Sequence, residues 1–133
     1  MLAIDDHFAI EHLYAAYNQY IDSDRADQWA ALFAPEGVFV SSETYMGRVE
    51  LAAFVRKRAE LEPTLPFRDA QHWNANLLLE QNAGIVRGSC YVVRFAINRS
   101  TGVKEVVSLG SYEDEIVKHD GQWLFARRQA FPL

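Results

Sequence analysis

The chain has 133 residues, a net charge of −5 and a composition that is 50% hydrophobic. That length supports one domain with a real core and leaves too little for a second. The acidic balance, with no cluster of lysine and arginine to override it, argues against nucleic acid and against an anionic membrane surface as partners.

The densest basic run, Arg56-Lys57-Arg58, reads as the solvated side of a helix. Cys90 is the single cysteine, so no intrachain disulfide and no thiol cluster for a metal is expected. Mid-strand and without a basic neighbour, it reads as a packed thiol. Met1 to Phe8 carries two aspartates and no basic region ahead of a long apolar run, so no secretory leader is expected. No window reaches the ~20 apolar residues that cross a bilayer, and a soluble cytoplasmic protein is the default expectation.

Asp5 and Asp6 can cap a first helix in which Ile10, Leu13, Tyr14, Tyr17 and Ile21 recur at helical spacing and form one apolar stripe. Asp22-Ser23-Asp24 breaks the pattern with side chains that favour caps and turns, and a short second helix carries Trp29, Leu32 and Phe33. Pro35 and Gly37 end it, and Val38-Phe39-Val40 reads as a strand. Gly47 opens a third helix running to Glu60, with Leu51, Phe54 and Val55 inward and Pro63 and Pro66 as its stop. Long strands follow over about 68–80, 84–98, 103–118 and 121–131, joined by turns at Asn82-Ala83-Gly84, Ser100-Thr101-Gly102 and Asp120-Gly121. Helices first and antiparallel strands afterwards predict an α+β fold with helices on one face of a curved sheet.

In the first long strand, alternation puts His72, Asn74 and Asn76 on one face and Trp73, Ala75, Leu77 and Leu79 on the other. Covered by aromatic-rich helices, the polar row becomes the wall of a pocket for a small molecule. His72 is the group in it suited to proton chemistry near neutral pH. The opposite face looks too apolar for water, which predicts a homodimer or homotrimer formed through it. His7, His12 and His119 have no spacing that suggests a metal site.

The run Ile10-Glu11-His12-Leu13-Tyr14-Ala15-Ala16-Tyr17, the Asp22-Ser23-Asp24 turn, Trp29 with Leu32-Phe33, Glu36-Gly37, Gly47, His72 with Asn76, Gly110 with Tyr112, and Gly121-Gln122-Trp123 carry a resemblance over nearly the whole chain. Together they resemble the SnoaL-like branch of the nuclear-transport-factor-like superfamily. The resemblance implies a single cone-shaped domain, three N-terminal helices packed on a curved and mainly antiparallel sheet. That superfamily hosts isomerases, dehydratases, cyclases, epoxide hydrolases and subunits without catalysis.

Within it the chain is similar to hexachlorocyclohexane dehydrochlorinases and scytalone dehydratases. The catalytic aspartate and histidine of the former fall on Asp24 and His72. The implied chemistry needs no cofactor and no metal. Asp24 would hold one ring nitrogen of His72 while the other removes a proton from carbon, giving elimination or, on a carbonyl substrate, isomerisation. Tyr14, Tyr17, Asn74 and Asn76 would donate hydrogen bonds to a small hydrophobic substrate, with Phe33, Phe54, Val55, Tyr91 and Val93 as apolar walls. Arg127 and Arg128 point to opposite faces, so one would reach the ligand, with Arg127 the candidate. Duller roles exist for the same residues: Asp24 as the cap of the second helix, His72 as a hydrogen-bonded core histidine. Two readings without catalysis also fit the resemblance, a small subunit like that of ring-hydroxylating dioxygenases and a module that binds a hydrophobic ligand.

Overall fold

An apolar stripe at helical spacing needs a surface to cover it, and the long strands supply one. The computed structural model describes Met1–Leu133. It consists of α1 (Ile4–Asp22), α2 (Ala26–Ala30), β1 (Phe33–Val40), β2 (Thr44–Met46), α3 (Gly47–Leu61), a 3₁₀ turn (Glu62–Thr64), β3 (Phe67–Asn82), β4 (Ile85–Asn98), β5 (Lys104–His119) and β6 (Gln122–Pro132). The strands form one sheet in the order β2-β1-β6-β5-β4-β3. All neighbours are antiparallel except β1 and β6, which run parallel. The helices cover one face, as the helix-then-strand order predicts. No helix is long and apolar enough to cross a membrane.

Two elements depart from the periodicity. The second helix stops at Ala30, and Phe33 opens β1 beside Phe125 instead of closing the helix. The reason is local hydrogen bonding: the Phe125 N–H donates to the Leu32 carbonyl, which commits that backbone to the sheet. The second departure lies in β3, where Asn76 takes φ 59° and pairing with β4 slips between Ala75 and Leu78. A bulge inserts one residue and reverses the alternation beyond it. His72 and Asn74 therefore face the helices as predicted, but Leu77 and Leu79 do so as well, packed against the core, while Leu78 turns outward. Their predicted assignment to the outer face is corrected accordingly. That outer face still exposes Trp73, Leu78, Tyr91 and Val106.

The core is an aromatic cluster built around Tyr17, whose ring lies 5.3 Å from Trp29, 5.9 Å from Tyr112 and 5.7 Å from Phe125 between centroids. Embedded in it is Arg128, fully buried. Its Nε and Nη2 donate to the Asp114 carboxylate at 2.8 and 2.9 Å, and its guanidinium stacks on Tyr112 at 3.8 Å and Tyr17 at 4.3 Å. The Tyr14 hydroxyl donates to the same carboxylate, which ties α1 to β5. Burial works against the Arg128 charge, yet Asp114 and the surrounding tyrosines outweigh it and hold its pKa well above the ordinary value. Gly88 makes room for this network, because a Cβ there would collide with the Tyr14 hydroxyl.

Removing one member of a buried ion pair strands the other, which costs about 3–5 kcal/mol. Asp114→Leu is expected to lose that much in urea unfolding. Asp114→Leu combined with Arg128→Met should lose clearly less than the single change, because no unpaired charge remains.

Candidate active site

The last residue of α1 and the start of β3 meet. Asp22 ends the helix, and its two carboxylate oxygens both serve His72: Oδ1 lies 2.5 Å from the ring Nδ1, and Oδ2 accepts the backbone N–H of His72 at 3.0 Å. A carboxylate only accepts, so Nδ1 carries the proton in this pair and the neutral ring keeps its lone pair on Nε2. Both side chains are largely shielded, with 8% exposure for His72 and 18% for Asp22. The double contact fixes the ring in position and in tautomer, as an oriented general base requires.

Asp24, the aspartate indicated by the family resemblance, is not the partner of His72. It sits two residues past the helix at φ 59° with an exposed side chain. Nor does it cap α2, whose N-cap is Arg25 without a side-chain hydrogen bond. The left-handed turn at Asp24 follows the C-terminus of α1 and directs the chain away, so only Asp22 reaches β3.

His72 lines a cavity of about 210 Å³ between the helices and the sheet. Tyr17, Ile21, Phe39 and Tyr112 are its buried floor, Phe54 and Val92 its sides, and Leu109, Phe131 and Pro132 its exposed rim. Two arginines, Arg58 of α3 and Arg94 of β4, also line it. A second hollow, an open groove of about 670 Å³ bordered by Asn18, Gln19, Arg25, Asp69 and Gln71, meets the cavity at His72. The smaller hollow combines apolar walls with a set of polar groups that includes His72 and the two arginines, which is the make-up of a small-molecule site.

Several expected lining residues lie elsewhere. Tyr17 and Phe54 line the cavity as predicted, whereas Tyr14, Phe33 and Val55 are buried in the core outside it. Tyr14 is consumed by Asp114, and burial first and then Asp114 raise its pKa far above that of a free phenol. Tyr91 and Val93 belong to the outer parity of β4; Val92 and Arg94 are the inner residues, and Tyr91 is 62% exposed. Asn74 faces inward, but its side-chain carbonyl accepts from Asn18 at 2.8 Å. Asn76, at the bulge, lines an outer hollow with Tyr91 and Glu113. Arg127 is exposed and donates to Gln129, and its neighbour Arg128 is the inward one, committed to Asp114. Cys90 is buried, its thiol pushed up to about 11 by burial and only partly countered by Arg128.

A family model for the SnoaL-like domain matches residues 3–129. The chain belongs to the SnoaL-like family. Solved structures agree on the architecture. A Mycobacterium tuberculosis protein of unknown function is similar with TM-score 0.86, 23% identity, and coverage of 98% of this chain and 78% of that one. An NTF2-like protein with a cystatin-like fold from Novosphingobium aromaticivorans gives TM-score 0.84 at 19% identity, covering 98% and 83%. A candidate scytalone dehydratase from the same species gives TM-score 0.80 at 22% identity, covering 98% and 85%. No curated protein matches the sequence. At these identities the structures establish the fold, and the SnoaL-like match establishes the family.

In this SnoaL-like protein the pKa of His72 is lowered from 6.5, chiefly by burial. The hydrogen bond and charge of Asp22 oppose the shift, while Arg58 and Arg94 add to it. The ring is therefore neutral at pH 7. The unfolded chain binds this proton more readily than the folded one, so the linked stability is present above pH 6.5 and declines as pH falls below it toward the folded pKa. Nuclear magnetic resonance titration should place the His72 midpoint below 6.5. Asp22→Asn should move it lower still, because the two contributions that raise it are weakened.

Proposed function

We propose that the protein is a cofactor-independent lyase or isomerase in which His72 is the general base and Asp22 its orienting partner. The observation that carries this reading is the two-point contact of Asp22 with His72 beside a cavity with largely apolar walls. His72 Nε2 takes a proton from a carbon of the substrate. The electron pair of that bond becomes a carbon–carbon double bond as a leaving group departs from the neighbouring carbon with its own bonding pair. Asp22 stabilises the imidazolium, which then returns its proton to a departing hydroxide, forming water, or to solvent when the leaving group is a halide. If the substrate is a carbonyl compound without a leaving group, the same base returns the proton to a different carbon and the outcome is isomerisation. The dehydratase description of the Novosphingobium structure favours the elimination branch.

Positioned general acid–base groups are worth ~10²–10⁴-fold in rate. The test is turnover of a panel of small cyclic β-hydroxy and β-halo carbonyl compounds, with deuterium uptake from D₂O at the acidic carbon as a second readout. His72→Ala should abolish both, and Asp22→Asn should lower kcat by about 10²–10⁴-fold. Asp24→Asn should stay within about twofold of the parent, since that side chain is exposed and away from the ring. Full activity in Asp22→Asn, or an Asp24→Asn defect of equal size, would sink the assignment.

A further inference from the structure

The cavity beside His72 holds two arginines that make no ion pair within the chain. Arg94 stands directly opposite His72 in the β3–β4 register, and Arg58 reaches the same cavity from α3. The arginine ion pairs of the chain are Arg56–Asp27, Arg68–Asp69, Arg99–Glu62 and Arg128–Asp114, and neither cavity arginine is among them. No aspartate or glutamate lines the cavity. The Nε of Arg94 is buried without a hydrogen-bond partner. Leaving a buried donor unmade is costly, more so on a charged group, and folded proteins retain such groups where something else completes them.

Asp22 makes no hydrogen bond or ion pair with either arginine; its two oxygens contact the ring and the backbone N–H of His72. Burial first and then the charge of Arg58 depress the pKa of Arg94, while Tyr112 and the charge of Asp22 oppose the shift, so the two cavity arginines share one nearby carboxylate that already serves His72. Tyr17, Ile21, Phe54 and Val92 supply apolar surface around them. At about 210 Å³ the space suits one ring or a short chain.

We propose that the substrate is a small organic anion, an apolar molecule bearing one carboxylate that docks on Arg94 with Arg58 as the second cation. This rests on the general-base reading for its chemistry, and it names the substrate class of that site. Residues paired across antiparallel strands have Cα atoms about 4.5–5.5 Å apart, so a carboxylate on Arg94 brings the adjoining carbon toward His72. When the base removes a proton from that carbon, the electron pair moves onto the carboxylate oxygens and then returns to form the carbon–carbon double bond as the leaving group departs from the neighbouring carbon with its bonding pair. Guanidinium groups already in place stabilise the added charge without reorganisation. Arg94 is then a specificity-determining residue that discriminates acid from neutral analogue.

The test is titration calorimetry of the full chain at pH 7 and low salt with cinnamate and its uncharged amide. Cinnamate should bind about tenfold or more tightly than the amide. Arg94→Met should erase the preference, Arg94→Lys should retain part of it without the forked geometry, and Arg58→Met should reduce it severalfold. Arg94→Met should also melt above the parent in the absence of ligand, since a partly buried cation without an ion-pair partner has been removed. Equal affinity for acid and amide, binding of neither, an undiminished preference in Arg94→Met, or a lower melting temperature for that variant would each overturn the proposal. Acid-selective binding combined with no proton exchange in any variant would leave the anion site standing and remove the general-base reading instead.

Discussion

The ion pair between Asp114 and Arg128 is the constraint on which the remaining geometry depends. It lies inside an aromatic cluster, where each charge alone would be strongly unfavourable, so the two must be brought together accurately. They are register partners on β5 and β6. The pair therefore discriminates against slipped pairings of those strands, since a shift by one residue would send Arg128 to the outer face. The guanidinium also fixes the two tyrosine rings, Tyr17 and Tyr112, that floor the cavity. Through the Tyr14 hydroxyl the same carboxylate pins α1 to the sheet. Eight residues further along, at about 1.5 Å per residue, the helix ends at the level of β3 and delivers Asp22 to His72.

Features that oppose local stability gather around that delivery point. A carboxylate at the C-terminal end of a helix faces the negative end of the dipole, and α1 has no basic residue in its last turn to offset it. Arg94 keeps a buried donor without a partner. Asn76, just down the strand, is held at positive φ, a region that asparagine tolerates better than most residues.

Much of the architecture was legible in the residues because it rests on short-range periodicity. The stripe Ile10, Leu13, Tyr14, Tyr17 and Ile21 marked α1, and Asn82-Ala83-Gly84 and Asp120-Gly121 marked hairpins at positions where the chain indeed takes positive φ. His72 was legible as the proton-transfer group of its strand. The choice between Asp22 and Asp24 was not, because it turns on whether the helix runs one further half-turn, and both residues sit in the same polar segment. The bulge at Asn76 was hidden for a related reason. Alternation is read on the assumption that no residue is inserted, so one positive φ exchanged the faces of Leu77, Leu79 and Asn76. The opposite roles of Arg127 and Arg128 followed from alternation, but which of them turned inward depended on the Asp114 partner across the strand pair. Arg58 and Arg94 gave no local signal, since their significance lies in what fails to pair with them.

The backbone contact between His72 and Asp22 also bears on how the folded chain avoids its own kind. β3 is the last strand of the sheet, with β4 on one side and no strand on the other. An edge of this length presents a row of free N–H and C=O groups that can template pairing with another chain. The Asp22 carboxylate occupies one of those N–H groups from the open side, placing a negative charge and a helix terminus where an incoming strand would have to lie. The residue that orients the histidine thus also obstructs strand addition at this point of the edge.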